Sequence, residues 1–427
     1  MSEKILLQKG RLIDPGTGRD EVVDIRIVDG VIEAIKPAIT PQPDEKVVDL
    51  KGKIVAPGFI DIHVHLREPG FEHKETIETG TRSAAYGGFT AVCCMPNTNP
   101  AIDDESLVSF VQMKGRNVNN GIVDVYPIAS VSKGREGKTL APIAELVGAG
   151  AVGLSDDGAP VFDAKVMRRA LEYASMYNVP IMQHCEIPEL AHGGVMNEGL
   201  VSTELGLPGI PGIAEEIMIA RDLALAEYTN SRYHVCHMST RRSVELVREG
   251  KQKGIKVTCE VTPHHFTLID DEVRSYDTNT KMNPPLRTQK DIEAIKQGLK
   301  DGTIDVIATD HAPHSLDEKE VDYIQAPFGI VGLETAIGLT ITELVEKKIL
   351  TITQMIEKFS TNPRKIIGRE VKVIEGEKAN LTFFDPAFEW KVEIEQFHSK
   401  SKNSPFQGRV LRGKAVGIIN NGTMLVF

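Results

Sequence analysis

The histidines of this chain recur where short apolar runs end, and carboxylates stand among them. His63-Val64-His65 sets two imidazoles two residues apart, which on a strand puts both on one face. His184 closes the run Pro180 to His184, and His237 closes the run Tyr233 to His237. Asp156 and Asp157 follow Ala151 to Ser155, and Asp310 follows Asp305 to Thr309. Imidazole and carboxylate ligation without thiolate suits Zn, or else Mn, Fe or Co. His63 and His65 with a carboxylate can hold one ion, and His184 and His237 a second, with Asp156 or Asp157 between them. Such a centre brings the pKa of bound water to roughly 7, making hydroxide available, and polarises a carbonyl. Asp310 is placed to touch metal and nucleophile and to carry a proton, although a cap on the next segment is its plain alternative.

Convergence of these groups requires a scaffold that brings strand ends together. Eight apolar runs are legible: Ile60 to His65, Thr90 to Met95, Val123 to Ala129, Ala151 to Ser155, Pro180 to His184, Tyr233 to His237, Lys256 to Val261 and Asp305 to Thr309. Amphipathic stretches alternate with them, including Ile77 to Tyr86, Ala164 to Tyr177, Ala214 to Tyr228, Thr240 to Glu249 and Asp291 to Leu299. This alternation predicts an α/β protein, a (β/α)₈ TIM barrel whose site lies at the C-terminal ends of the strands. Asn97 after the second run, and His264 and His265 after the seventh, fall on the same rim. Both chain ends read differently, as short strands broken by Gly, Pro and Asn turns. At the C-terminal end these are Leu381 to Phe384, Trp390 to Ile394, Gly408 to Leu411 and Val416 to Ile419. The expected organisation is a small β-sandwich from residues 1–55 and 370–427, with the barrel at 56–369.

Composition narrows the partners. With 60 acidic against 49 basic residues and a net charge of -11, the chain lacks the surplus of Lys and Arg that phosphate neutralisation requires, so no nucleic acid is expected. The stretch Met1 to Lys9 has no apolar core of signal-peptide length, and no run approaches a membrane span of roughly 20 residues. A cytoplasmic protein acting on a small molecule is expected, and a homodimer from how common such assemblies are. The five cysteines, Cys93, Cys94, Cys185, Cys236 and Cys259, contain no Cys-x-x-Cys pair and read as buried reduced thiols. Gly134 to Thr139 ends like a phosphate-binding loop, but Ser132 stands where its first Gly belongs, so a basic loop near the site is expected instead.

Longer motifs carry a family resemblance. Asp61-Ile62-His63-Val64-His65-Leu66-Arg67-Glu68-Pro69-Gly70 resembles the first dihydroorotase signature. Ala308-Thr309-Asp310-His311-Ala312-Pro313-His314, followed by Lys319, resembles the second. Met95-Pro96-Asn97-Thr98, Asn283 to Arg287 and Ser404 to Gly408 are similar too, and the chain is identified as a member of the longer bacterial dihydroorotases of the amidohydrolase superfamily. The resemblance implies one or two Zn²⁺ ions, with His63 and His65 on one, His184 and His237 on the other, Asp157 bridging, and Asp310 as metal ligand and general acid/base. It implies that Arg67, Asn97 and His314 hold a substrate carboxylate, while Asn283, Phe328 and Gly329 contact the pyrimidine ring, near His65. The implied reaction is the reversible cyclisation of N-carbamoyl-L-aspartate to dihydroorotate and water, in which metal-bound hydroxide attacks the ring carbonyl in the hydrolytic direction. A hydantoinase or allantoinase would share barrel and metal but not need a carboxylate receptor. A non-catalytic homologue scaffolding a pathway partner would not need the full ligand set.

The chain departs from its relatives at the bridging position. Related hydantoinases and the shorter dihydroorotases bridge their metals with a carboxylated Lys, whereas no Lys follows the fourth run, Lys165 lying further on in the next helix; Asn380 also stands where relatives usually carry Asp. A carbamate must be rebuilt from carbon dioxide, whereas an Asp already carries its charge. Zinc should therefore return to the chelated protein without added bicarbonate, measured as bound metal. Strict dependence on bicarbonate would require a lysine elsewhere as the bridge.

Overall fold

The computed structural model describes residues 4–427, so Met1–Glu3 of the stretch considered for a leader lie outside them. The middle of the chain is a (β/α)₈ barrel. Its strands are β1 (Phe59–Val64), β2 (Phe89–Cys94), β3 (Asp124–Ala129), β4 (Gly153–Leu154), β5 (Ile181–Gln183), β6 (Tyr233–Val235), β7 (Val257–Val261) and β8 (Val306–Ile307), paired in parallel in chain order. All eight expected runs form these strands. Several ladders stop short of the polar residue closing the run, because the chain turns there; His237 has a φ of 30°.

Helices return the chain between strands, and their caps are local. Thr76 and Thr79 form a capping box at the start of Ile77–Tyr86. Asp163 caps Ala164–Met176 and Thr240 caps Arg241–Gln252. Helices also span Ile213–Thr229 and Gln289–Asp301, as the periodicity predicts, and Glu105–Asn117, which it left out. Among the described residues no helix is long and apolar enough to cross a membrane.

The two chain ends build one further sheet. In order, it contains Thr423–Val426, Val410–Asn420, Leu381–Lys391, Ile54–Pro57, Lys4–Asp14, Arg19–Val28 and Val31–Lys36, with Lys46–Asp49 beside Lys4–Asp14. Its halves share one apolar cluster that includes Leu7, Ile25, Phe383 and Ile419, the core of the small sandwich. The strand expected over Leu381 to Phe384 does not end at the Asp385-Pro386 turn signal. That dipeptide forms an irregularity inside Leu381–Lys391, since the partner strand resumes pairing at Glu389. Likewise Gly408 to Leu411 and Val416 to Ile419 join into one strand, and Ile394 lies in a helical turn instead of a strand.

Two features of β1 position the site. Asp61 pairs with Val92 and Val64 with Cys94, so three steps on β1 oppose two on β2. This bulge changes the parity of the strand. Ile60 and Ile62 share the barrel's inner cluster with Ala91, Cys93, Met182 and Val306, and the extra residue lets His63 and His65 also face inward. Asp61 spans the bulge and the seam: its carboxylate accepts from the His63 N–H at 3.0 Å and from the Thr309 N–H at 3.0 Å. The seam continues as a Val64–His311 bridge and a 2.8 Å bond from the His65 N–H to the His311 carbonyl.

Asp61→Ala would leave two buried N–H groups unpaired and should cost about 2–4 kcal/mol in denaturant unfolding. Burial raises the Asp61 carboxyl to about 7. The folded form therefore keeps a proton that the unfolded chain has lost, and the stability tied to it disappears as pH rises through about 7. The deficit of the variant should be larger at about pH 5 than at about pH 8; a cost independent of pH would contradict this account.

Candidate functional site

A cavity of about 320 Å³ opens at the C-terminal ends of the barrel strands. Every residue expected at the site lines it except His63, which is wholly buried. Asp157 is the hub. Its Oδ1 lies 3.4 Å from His63 Nε2, 3.5 Å from His237 Nε2 and 3.9 Å from His184 Nδ1, and its Oδ2 lies 3.6 Å from His65 Nε2. Asp310 Oδ1 stands 2.9 Å from His65 Nε2 and 3.6 Å from His63 Nε2. Two triads spaced for a cation result, His63–His65–Asp157 and Asp157–His184–His237, sharing one carboxylate.

The donor set fits a metal. His63 Nε2 and Asp157 Oδ1 are buried without a hydrogen-bond partner, and the nitrogens of His184 and His237 approach to 3.0 Å. Buried polar groups are ordinarily paired, so converging lone pairs left open describe a cation site. Asp157, and not Asp156, reaches the imidazoles. Asp156 accepts from the Val131 and Ser132 N–H groups and the Ser132 hydroxyl, and so ties the loop after β3.

The electrostatics follow from this crowding. Burial opposes charge on both carboxylates, but the imidazoles outweigh it: His63, His237 and His65 hold Asp157 well below the usual range, and the His65 hydrogen bond with His63 behind it holds Asp310 down at about 2. Both are ionised at neutral pH.

A supporting layer escaped the sequence reading. Glu260 on β7 accepts from His63 Nδ1 at 2.5 Å and from His234 Nε2 at 3.0 Å. With its proton on Nδ1, His63 turns the Nε2 lone pair to the pocket. Burial would raise the Glu260 carboxyl, but His63 and His234 hold it well below the ordinary range. The available signal was a charged residue within the apolar run Lys256 to Val261. Asn97 meets the corresponding nitrogen of His65, its Oδ1 lying 2.8 Å from Nδ1, and its amide nitrogen lies 3.3 Å from Asp157 Oδ2. Expected only as a carboxylate contact, it also touches His65 and Asp157. Arg135, from the basic loop, donates to the Asp157 carbonyl. His265 lies 2.8 Å from the Thr262 hydroxyl and 2.9 Å from the Pro284 carbonyl, and so holds the turn carrying Asn283.

The far end of the cavity is a cationic corner. Arg67 Nε donates to the Pro313 carbonyl at 3.2 Å, and its Nη2 lies 3.3 Å from His314 Nε2. That same nitrogen lies 2.8 Å from the Phe328 carbonyl. Burial and the neighbouring Arg67 push the His314 imidazole down to about 2, so it is neutral, and burial lowers Arg67 only to about 10, so it keeps its charge. Gly329, at a φ of 117°, is required: a Cβ there would lie 2.5 Å from that of Ala312.

The dihydro-orotase-like family model matches residues 52–243. A dihydroorotase of Pelotomaculum thermopropionicum is 51% identical over 424 residues, 99% of this chain and 98% of its own length, and one of Acetivibrio thermocellus is 49% identical, with 99% of both chains covered. Among solved structures, an L-hydantoinase (dihydropyrimidinase) from Arthrobacter aurescens is similar over 100% of this chain and 96% of its own, with a TM-score of 0.87 and 25% identity.

Glu260→Gln keeps an acceptor for His63 but removes the charge that fixes its tautomer. Metal affinity at the His63 triad should fall by about 10–100-fold in a competition titration. Unchanged affinity would show that Glu260 serves the fold alone.

Proposed function

The chain belongs to the dihydroorotase family, and from that premise we propose that it interconverts N-carbamoyl-L-aspartate and (S)-dihydroorotate plus water, the ring-closing step of pyrimidine synthesis. The observation that carries this reading is the pair of His–Asp triads sharing Asp157 in one cavity with the Arg67–His314 corner. Two Zn²⁺ ions suit the triads, held by His63, His65, Asp157 and Asp310 on one side and by Asp157, His184 and His237 on the other. When bound, they would polarise the carbonyl under attack and acidify water.

The remaining work falls to the chain. Asp310, ionised in the resting site, takes the proton of the attacking water in hydrolysis and delivers it to the ring nitrogen as the amide breaks. In cyclisation it starts protonated and the transfers reverse. Arg67 offers the forked donor geometry that matches a carboxylate. His314, whose Nε2 meets the Phe328 carbonyl, and Asn97 complete the receptor as its walls. Asn283, whose Oδ1 is buried without a partner, faces the ring with the Phe328–Gly329 backbone. The carboxylate receptor favours dihydroorotate over hydantoin, which carries no carboxylate.

Turnover of both compounds by the zinc-loaded protein and by Arg67→Met tests this. The wild type should prefer dihydroorotate, and the variant should lose roughly 2–5 kcal/mol of transition-state binding, read as kcat/KM, because the substrate charge loses its buried partner. Equal turnover of hydantoin by the wild type would reject the assignment.

A further inference from the structure

Two lysines that this mechanism leaves unused are buried beside the cavity. Lys281 is 2% exposed and Lys319 5%. Among the described residues neither forms an ion pair; each ammonium is met by backbone carbonyls. Lys319 Nζ donates to Thr278 at 3.1 Å and to Pro327 at 2.8 Å. Lys281 Nζ donates to Tyr323 at 2.9 Å and Ile324 at 2.8 Å, and lies 4.8 Å from the centre of the Phe328 ring. Two reciprocal bonds complete the arrangement, from the Thr278 hydroxyl to the Lys319 carbonyl at 2.7 Å and from the Gly329 N–H to the Lys281 carbonyl at 2.9 Å.

These bonds tie residues 319–329 to residues 278–281 at five points. The segment has little apolar anchorage of its own, since Val321 and Ile324 are exposed and, of its aliphatic and aromatic side chains, Tyr323 and Ala326 are the buried ones. Burying an ammonium without a counter-charge is expensive, and burial lowers Lys319 to about 7 and Lys281 to about 8. Packing alone would be served by Met or Leu at less cost, so the donors themselves are what the site requires. The segment they hold ends in Pro327, Phe328 and Gly329, which line the cavity. The Phe328 carbonyl in turn meets His314, which meets Arg67.

We propose that Lys281 and Lys319 are positioning residues for this reaction: their carbonyl-capped ammonium groups clasp the 319–329 segment and so fix the Phe328–Gly329 wall and the His314–Arg67 corner that receives the substrate carboxylate. The inference rests on the reading of the cavity as a dihydroorotate site.

The test uses the full-length, zinc-loaded protein with Lys319→Met and Lys281→Met, measuring kinetics on dihydroorotate, bound metal and amide hydrogen exchange. Each variant should raise KM about tenfold with kcat within about threefold, because uniform binding is lost and chemistry is not. Metal content should be unchanged, and exchange across 320–329 should quicken about tenfold while the barrel strands stay protected. Wild-type KM and wild-type exchange would overturn the proposal, as would a loss of kcat at constant KM, which would connect the lysines to the metal centre instead. Should Lys319→Met fail to fold, Lys281→Met decides alone. A wild type inert towards dihydroorotate would reject the functional reading, and exchange would still decide whether the clasp exists.

Discussion

One carboxylate, that of Asp61, connects the two operations on which the site depends. A barrel strand alternates its side chains, so the parity that sends Ile60 and Ile62 into the barrel would send His63 and His65 out of it. The extra residue between Asp61 and Val64 resets that parity, and an unsupported bulge would leave backbone groups unpaired. Asp61 accepts the His63 N–H within the bulge and the Thr309 N–H across the seam. The same contact that lets the imidazoles face inward therefore draws up β8, whose continuation carries Asp310 to 2.9 Å from His65. Placing first and last strands in register makes the site a property of the closed barrel and not of either strand.

The strand ends pay for this convergence in backbone conformation. Arg67, His237 and Asp310 all have positive φ, at 61°, 30° and 49°. Non-glycine residues in that region cost roughly 1–3 kcal/mol each and persist only where the surroundings over-determine them. Here they are three of the residues that meet in one cavity, and each bends the chain just after a ladder ends. The bends aim side chains at a common point that extended strands would carry past one another. The restraint comes from the layer behind: Glu260 on His63 and Asn97 on His65, Asp156 on the loop after β3, and His265 on the Asn283 turn.

Most of this was legible where chemistry and periodicity coincide. The eight runs announce themselves because strands buried on both faces must be apolar throughout, and their polar ends stand out against that background. The histidines and aspartates that converge on the cavity were readable for the same reason. Asp61 and Glu260 were not singled out, because each lies within an apolar run where its partner is a backbone N–H or a ring from a strand far off in sequence. Pairing across 248 residues, as between Asp61 and Thr309, leaves no local pattern. At the C-terminal end, Asp385-Pro386 reads as a turn by composition, yet neighbouring strands supply enough pairing to carry the sheet past it. Local propensity lost there to tertiary context.

A hydantoinase-like barrel and a dihydroorotase-like sequence point to one scaffold and two substrates, and the fold cannot choose between them. The metal triads are equally neutral, since polarising a cyclic amide is common to both chemistries. Discrimination has to come from groups useful to only one substrate. Arg67 is such a group. A guanidinium kept charged though buried is attracted by Asp310, Asp157, Glu318 and Glu75, yet among the described residues none of them forms an ion pair with it, so a ring without a carboxylate would leave its fork without a directly bonded charge. A substrate carboxylate removes that cost on binding, whereas hydantoin would seal the charge away from water. Specificity on this account comes as much from rejecting the uncharged ring as from attracting the charged one.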